Sequence, residues 1–426
     1  MPYCIKQWQE EDLLAGDEIN IDSHLMTFRG EGPGEEQNTD TEVVLYNGST
    51  IPRYVNEFWT SRQRAGSPLH EVPYRACFKP QLPAFFIKLL TSPGDRVYDP
   101  FSGRGTTVIE AGLLDRSVVS NDANPLTTIL TRPRFFIPAR KAIKDRLAGI
   151  PKQCSEELEK DLSMFYHPDT ISEIAGLREY LLGRQDSGEE DEVDSWIRMV
   201  ATTRLTGHSK GFFSVYTLPP NQAISCERQL VINARRCQTP EYRDTHRLIL
   251  RKSESLLRGL DSAARNCLLR AGKDGLFLNT DARATPGIAS GTVALTVTSP
   301  PFLDVVQYSN DNWLRCWFNG FDAGNIARHL TMAKSVTGWA GVMESVFREL
   351  FRVTKEKGWI AFEVGEVRKG TIALDEIVIP AGVNAGFSCR CVLMNRQTFS
   401  KTSHIWGIGN NLLGTNSNRV VLFMKE

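Results

Sequence analysis

Apolar positions along the chain change period several times, and the changes divide it. Arg96-Val97-Tyr98 reads as a short buried strand, and Val108-Ile109-Glu110-Ala111-Gly112-Leu113-Leu114 has the spacing of an amphipathic helix. Between them lies a tight turn with glycines at 103 and 105. Strand, glycine turn and helix is how a doubly wound α/β domain opens its ligand crevice. Ser117-Val118-Val119-Ser120-Asn121 reads as a second strand. Residues 132–270 then interrupt the alternation and read as mostly helical, over about 139–150, 155–166, 169–183, 190–205 and 242–270. The α/β pattern resumes with a strand at 276–283, an apolar strand at 292–298, an amphipathic helix at 343–353 and a strand at 359–364. Two more strands follow near 388–396 and 419–425. Residues 1 to about 50 show no such period, and the acidic, glycine-rich stretch 30–41 reads as a loop or linker.

Composition narrows the class without naming a function. A hydrophobic share of 41% and a charged share of 23% are those of a globular protein, and no run of 18 apolar residues predicts a membrane span. No apolar signal core follows Met1-Pro2-Tyr3-Cys4-Ile5-Lys6. Nine cysteines without a CxxC pair argue against a zinc site and for reduced thiols in a cytosol. The formal net charge is zero, so positive charge directed at a nucleic acid has to be local. The expected organisation is an N-terminal extension (1–53), the first part of a catalytic domain (54–131), a helical insertion (132–270) and the second part of the catalytic domain (271–426).

The glycine turn is more specific when read whole. Asp99-Pro100-Phe101-Ser102-Gly103-Arg104-Gly105-Thr106-Thr107 resembles the cofactor motif of DNA amino-methyltransferases, which use S-adenosylmethionine. Phe78-Lys79-Pro80-Gln81-Leu82-Pro83 resembles the family's upstream segment beside the methionine end of that cofactor. The second strand ends at Asp122-Ala123-Asn124, 17 residues after Gly105. An acid there can accept hydrogen bonds from ribose hydroxyls, or cap the next helix. Asp281-Ala282-Arg283 resembles the end of the family's third strand, whose acid meets the adenine amino group. Thr298-Ser299-Pro300-Pro301-Phe302 resembles the catalytic signature of exocyclic amino-methyltransferases. The resemblance implies a doubly wound, seven-stranded Rossmann-like methyltransferase sheet with a C-terminal antiparallel hairpin and a large, mostly helical insertion. It implies cofactor contacts from Phe78, Lys79, Pro80, Leu82, Asp99, Pro100, Phe101, Ser102, Gly103, Gly105, Thr106, Thr107, Asp122, Ala123, Asn124, Asp281, Ala282 and Thr298. The two glycines are expected to let the backbone approach the ligand.

The catalytic set expected is Ser299, Pro300, Pro301 and Phe302. An exocyclic amine is a poor nucleophile because its lone pair is delocalised into the ring. The Ser299 hydroxyl and the Pro300 carbonyl can hold the amino hydrogens, and Phe302 can stack on a base extruded from the duplex. No strong base is evident near Ser299, so it is not read as a nucleophile. Serine at this position resembles the cytosine-N4 group; an adenine-N6 enzyme or an RNA amine methyltransferase are the alternatives. Double-stranded DNA is the expected partner, in the cytosol and without a metal; the sequence leaves open whether a cognate restriction endonuclease exists. The non-helical stretch 204–222 mixes cations, aromatics, hydroxyls and amides, and supplies candidate DNA contacts at Arg204, His208, Ser209, Lys210, Asn221 and Gln222. Lys401 adds a seventh from the loop between the last two strands.

Overall fold

The strand at 96–99 takes the centre of the sheet because both its faces are apolar: Val97 points into one buried cluster and Tyr98 into another. The computed structural model describes residues 20–29, 38–59, 66–75, 77–153, 160–217, 224–301, 308–329, 335–367, 372–395 and 418–426. Phe302, Asn221, Gln222 and Lys401 lie outside the described residues. The strands are β1 (Asp40–Tyr46), β2 (Ser49–Asn56), β3 (Arg96–Asp99), β4 (Ser117–Asn121), β5 (Leu276–Leu278), β6 (Val293–Thr298), β7 (Thr354–Val364), the short β8 (Glu366–Val367) and β9 (Ile372–Ala373), β10 (Ser388–Asn395) and β11 (Asn418–Met424). Nine of them form one sheet in the order β1-β2-β10-β11-β7-β6-β3-β4-β5, and β8 pairs with β9. From β7 to β5 the neighbours run parallel, and β11 sits antiparallel between β7 and β10.

The N-terminal region is more ordered than its sequence pattern predicts. Residues 40–56 form a hairpin whose two-residue turn is Asn47-Gly48, both left-handed with φ of 48° and 78°. That pair supplies the positive φ values that match the twist of a hairpin. β2 then joins β10 in parallel and extends the expected seven strands to nine. Buried Asp375 fastens the hairpin by taking Arg53 from β2 at 3.3 Å and Arg419 from β11 at 2.8 Å.

The helices are α1 (Ile21–Met26), α2 (Gln81–Leu90), α3 (Thr106–Leu113), α4 (Leu126–Thr131), α5 (Arg140–Gly149), α6 (Pro168–Asp186), α7 (Glu192–Thr202), α8 (Cys226–Arg236), α9 (Thr245–Leu256), α10 (Ser262–Lys273), α11 (Tyr308–Phe318), α12 (Ala323–His329), α13 (Val336–Val353) and α14 (Asp375–Asn384). One sheet face carries α13 and α14, through Phe347, Leu350, Val378 and Phe423. The other face is covered by α2 and α3 and shares its core with the insertion, through Phe135, Ile143, Leu147, Trp196 and Leu268. The helical segment is therefore not set apart from the sheet, because α10 packs on α3 and β4 and leads directly into β5. The stretch expected as one helix over 242–270 divides at Gly259, whose φ is +72°, and Asp261 caps the second piece. An unexpected helix, α8, follows the cap Ser225.

Candidate active site

The C-terminal ends of β5, β4, β3, β6 and β7 lie side by side, and the sequence motifs converge there. After β3 the chain turns back under three local bonds: Ser102 Oγ donates to the Asp99 carbonyl at 2.8 Å, Ser102 N to Asn121 O at 2.9 Å, and Gly105 N to Ser102 O at 2.6 Å. Gly103 and Gly105 sit at φ +51° and +75°, which L side chains rarely adopt. The two glycines serve different needs. A Cβ at Gly103 would lie 3.1 Å from the buried Tyr74 ring. A Cβ at Gly105 would strike Thr131 of α4 at 2.5 Å. Gly105 thus has a packing and helix-entry role as well.

Several predicted cofactor residues are occupied in building this turn. Thr107 Oγ1 donates to Val297 O at 3.0 Å and staples α3 to β6. Asp99 is 2% exposed and accepts from Thr298 Oγ1 at 2.6 Å and from Phe101 N at 3.1 Å. Burial pushes its carboxyl up to about 7, against those hydrogen bonds. Asp122, at the end of β4, accepts from Gly103 N and Asn124 N, both at 2.9 Å, while burial raises its pKa. Two N–H bonds leave a carboxylate with lone pairs for further donors. Asp281 is held by its neighbour Arg283, with Nε 2.9 Å from Oδ1, and that hydrogen bond lowers its pKa. Ala282 is buried in the α13 face.

Residues not singled out in the sequence hold these pieces together. Arg104, between the two glycines, donates to the carbonyls of His70 at 3.0 Å, Val72 at 3.1 Å and Phe78 at 3.5 Å. It straps the 70–78 segment, and so the Phe78–Pro80 approach, onto the glycine turn. Arg134 is fully buried and donates to the carbonyls of Leu69, Leu130 and Arg104; burial pushes it down to about 9. Buried Asn121 bridges Pro100 O at 3.4 Å and Thr280 O at 3.0 Å, clipping the loops after β3 and β5 to β4. A charged residue between two turn glycines and an amide at a strand end were the available signals.

β6 brings the second motif into place. Pro301 O accepts from Trp339 Nε1 at 2.9 Å, which pins the diproline turn to α13. Thr298 pairs with Phe362 in the β6–β7 register, so the next step along both strands sets Ser299 opposite Glu363. Glu363 is 8% exposed; burial pushes its carboxyl up to about 7, against the opposing influence of the neighbouring Ser299 hydroxyl. A buried carboxylate thus stands where none was evident. The signal was a lone acid inside the apolar run Trp359-Ile360-Ala361-Phe362-Glu363-Val364.

The loop expected to meet DNA is folded on itself. Phe213 N donates to Arg204 O and Thr217 N to Gly207 O, both at 2.9 Å. Phe212, Phe213 and Val215 are buried. Arg204 is 7% exposed and its guanidinium lies 4.1 Å from the centre of the Phe212 ring, while burial pushes it down to about 10. Arg204 and these aromatics therefore belong to the core, and only His208, Ser209 and Lys210 of the predicted set face solvent among the described residues. Among the described residues no group of three metal-binding side chains occurs, and no helix is long and apolar enough to cross a membrane.

Known proteins resemble this arrangement in part. Residues 31–127 match the family model for DNA methylase. That match covers the hairpin, the strapped 70–78 segment, the glycine turn and Asp122. Among solved structures, TrmN from Thermus thermophilus shares 13% identity over 83% of this chain and 50% of its own, with a TM-score of 0.31. A TehB-like SAM-dependent methyltransferase from Corynebacterium glutamicum shares 8% over 81% of this chain and 87% of its own, with a TM-score of 0.30. A candidate DNA modification methylase of Thermus thermophilus shares 18% over 34% of this chain and 50% of its own, with a TM-score of 0.21. This chain thus spans half the length of the first of these and of the third. No curated protein matches it.

Proposed function

We propose that this protein transfers a methyl group from S-adenosylmethionine to the exocyclic N4 amine of a cytosine extruded from duplex DNA. The observation that carries the reading is the pair of turns at the ends of β3 and β6, adjacent parallel strands. One turn is a glycine cradle with an acid on the next strand; the other presents a hydroxyl and a diproline. Fit to the methyl donor rests on the glycine turn, where Gly103 sits at φ +51°, and on Asp122, which retains lone pairs for ribose hydroxyls. Phe78, Lys79 and Pro80 would flank its methionine end, and Asp281, once it shares its carboxylate with Arg283, its adenine. That donor would supply an activated methyl group.

The chain's own work is positioning. Ser299 Oγ and the Pro300 carbonyl accept the two amino hydrogens and hold the nitrogen in line with the methyl carbon. Prolines at 300 and 301 make the turn stiff and offer no competing N–H. Phe302 would stack on the base, and Lys210 and His208 would meet phosphates. Serine at 299 favours cytosine. The deciding experiment is tritiated methyl transfer to duplex DNA, RNA and protein, followed by mass spectrometry of nucleosides from the labelled polymer. N4-methylcytosine is expected; N6-methyladenine alone would replace the base but keep the pocket, and label confined to RNA or protein would overturn the DNA assignment.

A further inference from the structure

Methylating a neutral amine leaves the nitrogen one proton too rich, and the turn after β6 contains a route for that proton. Resting on the reading above, we propose that Glu363 is the proton acceptor of the reaction, reached through the Ser299 hydroxyl. The nitrogen lone pair becomes the new N–C bond, while the electron pair of the broken bond stays with the donor's sulfur. The nitrogen, now cationic, gives one hydrogen to Ser299 Oγ as the hydroxyl proton of Ser299 passes to the Glu363 carboxylate. Serine is regenerated, the carboxylate becomes a carboxylic acid, and the proton later leaves to water.

Three features support this. The β6–β7 register sets Ser299 and Glu363 side by side at the ends of adjacent parallel strands. Glu363 lies on the sheet face of Ala361 rather than that of Phe362, at the carboxyl end of a parallel strand, where such sheets bind ligands. Burial pushes it up to about 7, close to where an acceptor works best at neutral pH.

Charged groups on the surrounding elements have other engagements. On β11, Val420 is opposite Glu363, and Arg419 is bonded to Asp375. On α1, Asp22 accepts the Tyr54 hydroxyl at 2.9 Å, and His24 stacks near Phe28. On α11, Asp311 takes Arg75 at 2.7 Å, and Arg315 donates to Asn312 and to Pro73 O. Lys88 is in the last turn of α2.

The test separates a relay from a mere prop for Ser299, because Glu363→Gln keeps an acceptor oxygen for the serine but cannot take a proton. In the ligand-free protein, isotope-edited infrared titration should find the Glu363 carboxyl ionising near about 7, and Ser299→Ala should move that midpoint up by removing the hydroxyl that opposes burial. Single-turnover methyl transfer by the parent should fall on the acid side of about pH 7. Glu363→Gln should lose that limb and run on the order of 100-fold slower above it, with unchanged cofactor affinity. Glu363→Asp should recover part of the rate and keep the limb. A flat parent profile, a Gln variant at parental rate, or a Glu363 midpoint indifferent to Ser299→Ala overturns the relay alone. A parent that methylates no amine overturns the underlying reading as well.

Discussion

Asp99 at the end of β3 and Glu363 at the end of β7 flank β6, each buried, each pushed by burial to about 7, and each facing a hydroxyl from one of two successive residues, Thr298 and Ser299. The difference lies in what else reaches them. Asp99 accepts the Thr298 hydroxyl and the Phe101 amide, and its own backbone carbonyl takes Ser102 Oγ. It is enclosed by the turn that it shapes. Glu363 lies within β7, opposite Ser299 and beside the diproline turn. Equal pKa values therefore mark two kinds of group. A buried carboxylate bonded into its own turn fixes backbone, whereas one set beside an exchangeable hydroxyl at a strand end is placed to do chemistry.

The largest expected effect attacks the structural half. Gly105→Val forces a β-branched residue into φ +75° and into Thr131, so it should cost roughly 2–5 kcal/mol of stability as well as cofactor affinity. Thermal unfolding and calorimetry together check this; lost cofactor binding with an unchanged midpoint would leave Gly105 a ligand role alone.

The next sharpens the comparison through pH. Glu363 has its pKa raised in the folded state from 4.5 to about 7, so its contribution to stability is complete below about 4.5 and is lost as pH rises through about 7. Glu363→Gln should remove that loss, and its advantage over the parent should grow by on the order of 3 kcal/mol from the acid to the alkaline side. Asp99, raised from 3.8 to about 7, keeps its own decline in both proteins. Urea unfolding at the two pH extremes measures the change, and parallel parent and variant curves would sink it.

A smaller effect tests the functional half. Ser299→Ala should leave cofactor and DNA binding intact and lower turnover roughly ten- to a hundred-fold, about 1–3 kcal/mol, because the lost acceptor matters most as the amine becomes tetrahedral. Unchanged turnover would remove Ser299 from the pocket. The smallest is at the periphery: Lys210→Ala should lower the slope of log affinity against log salt by about 1, whereas Arg204→Ala should chiefly destabilise the fold. A salt slope that responds to Arg204 and not to Lys210 would reverse that assignment.

Sequence periodicity alone located β3, α3, β4, β6 and β7, since a buried strand between helices must be apolar on both faces and says so in its composition. The glycine turn and the diproline were legible for a similar reason: each needs a backbone conformation that few residues tolerate. The Asn47-Gly48 hairpin carried an equally local signal, although residues 1 to about 50 show no strand period. Arg204 could not be judged locally. Its side chain looks like a phosphate contact until Phe212, eight residues on, folds over it. Nor could Glu363, since the strand order that sets β7 beside β6 joins residues 64 apart in the chain, and one step of register decides whether Glu363 or Phe362 faces Ser299. Local chemistry specifies turns and strands, but which side chains meet, and which carboxylate is buried beside which hydroxyl, depends on lateral strand order and on burial that only the assembled sheet creates.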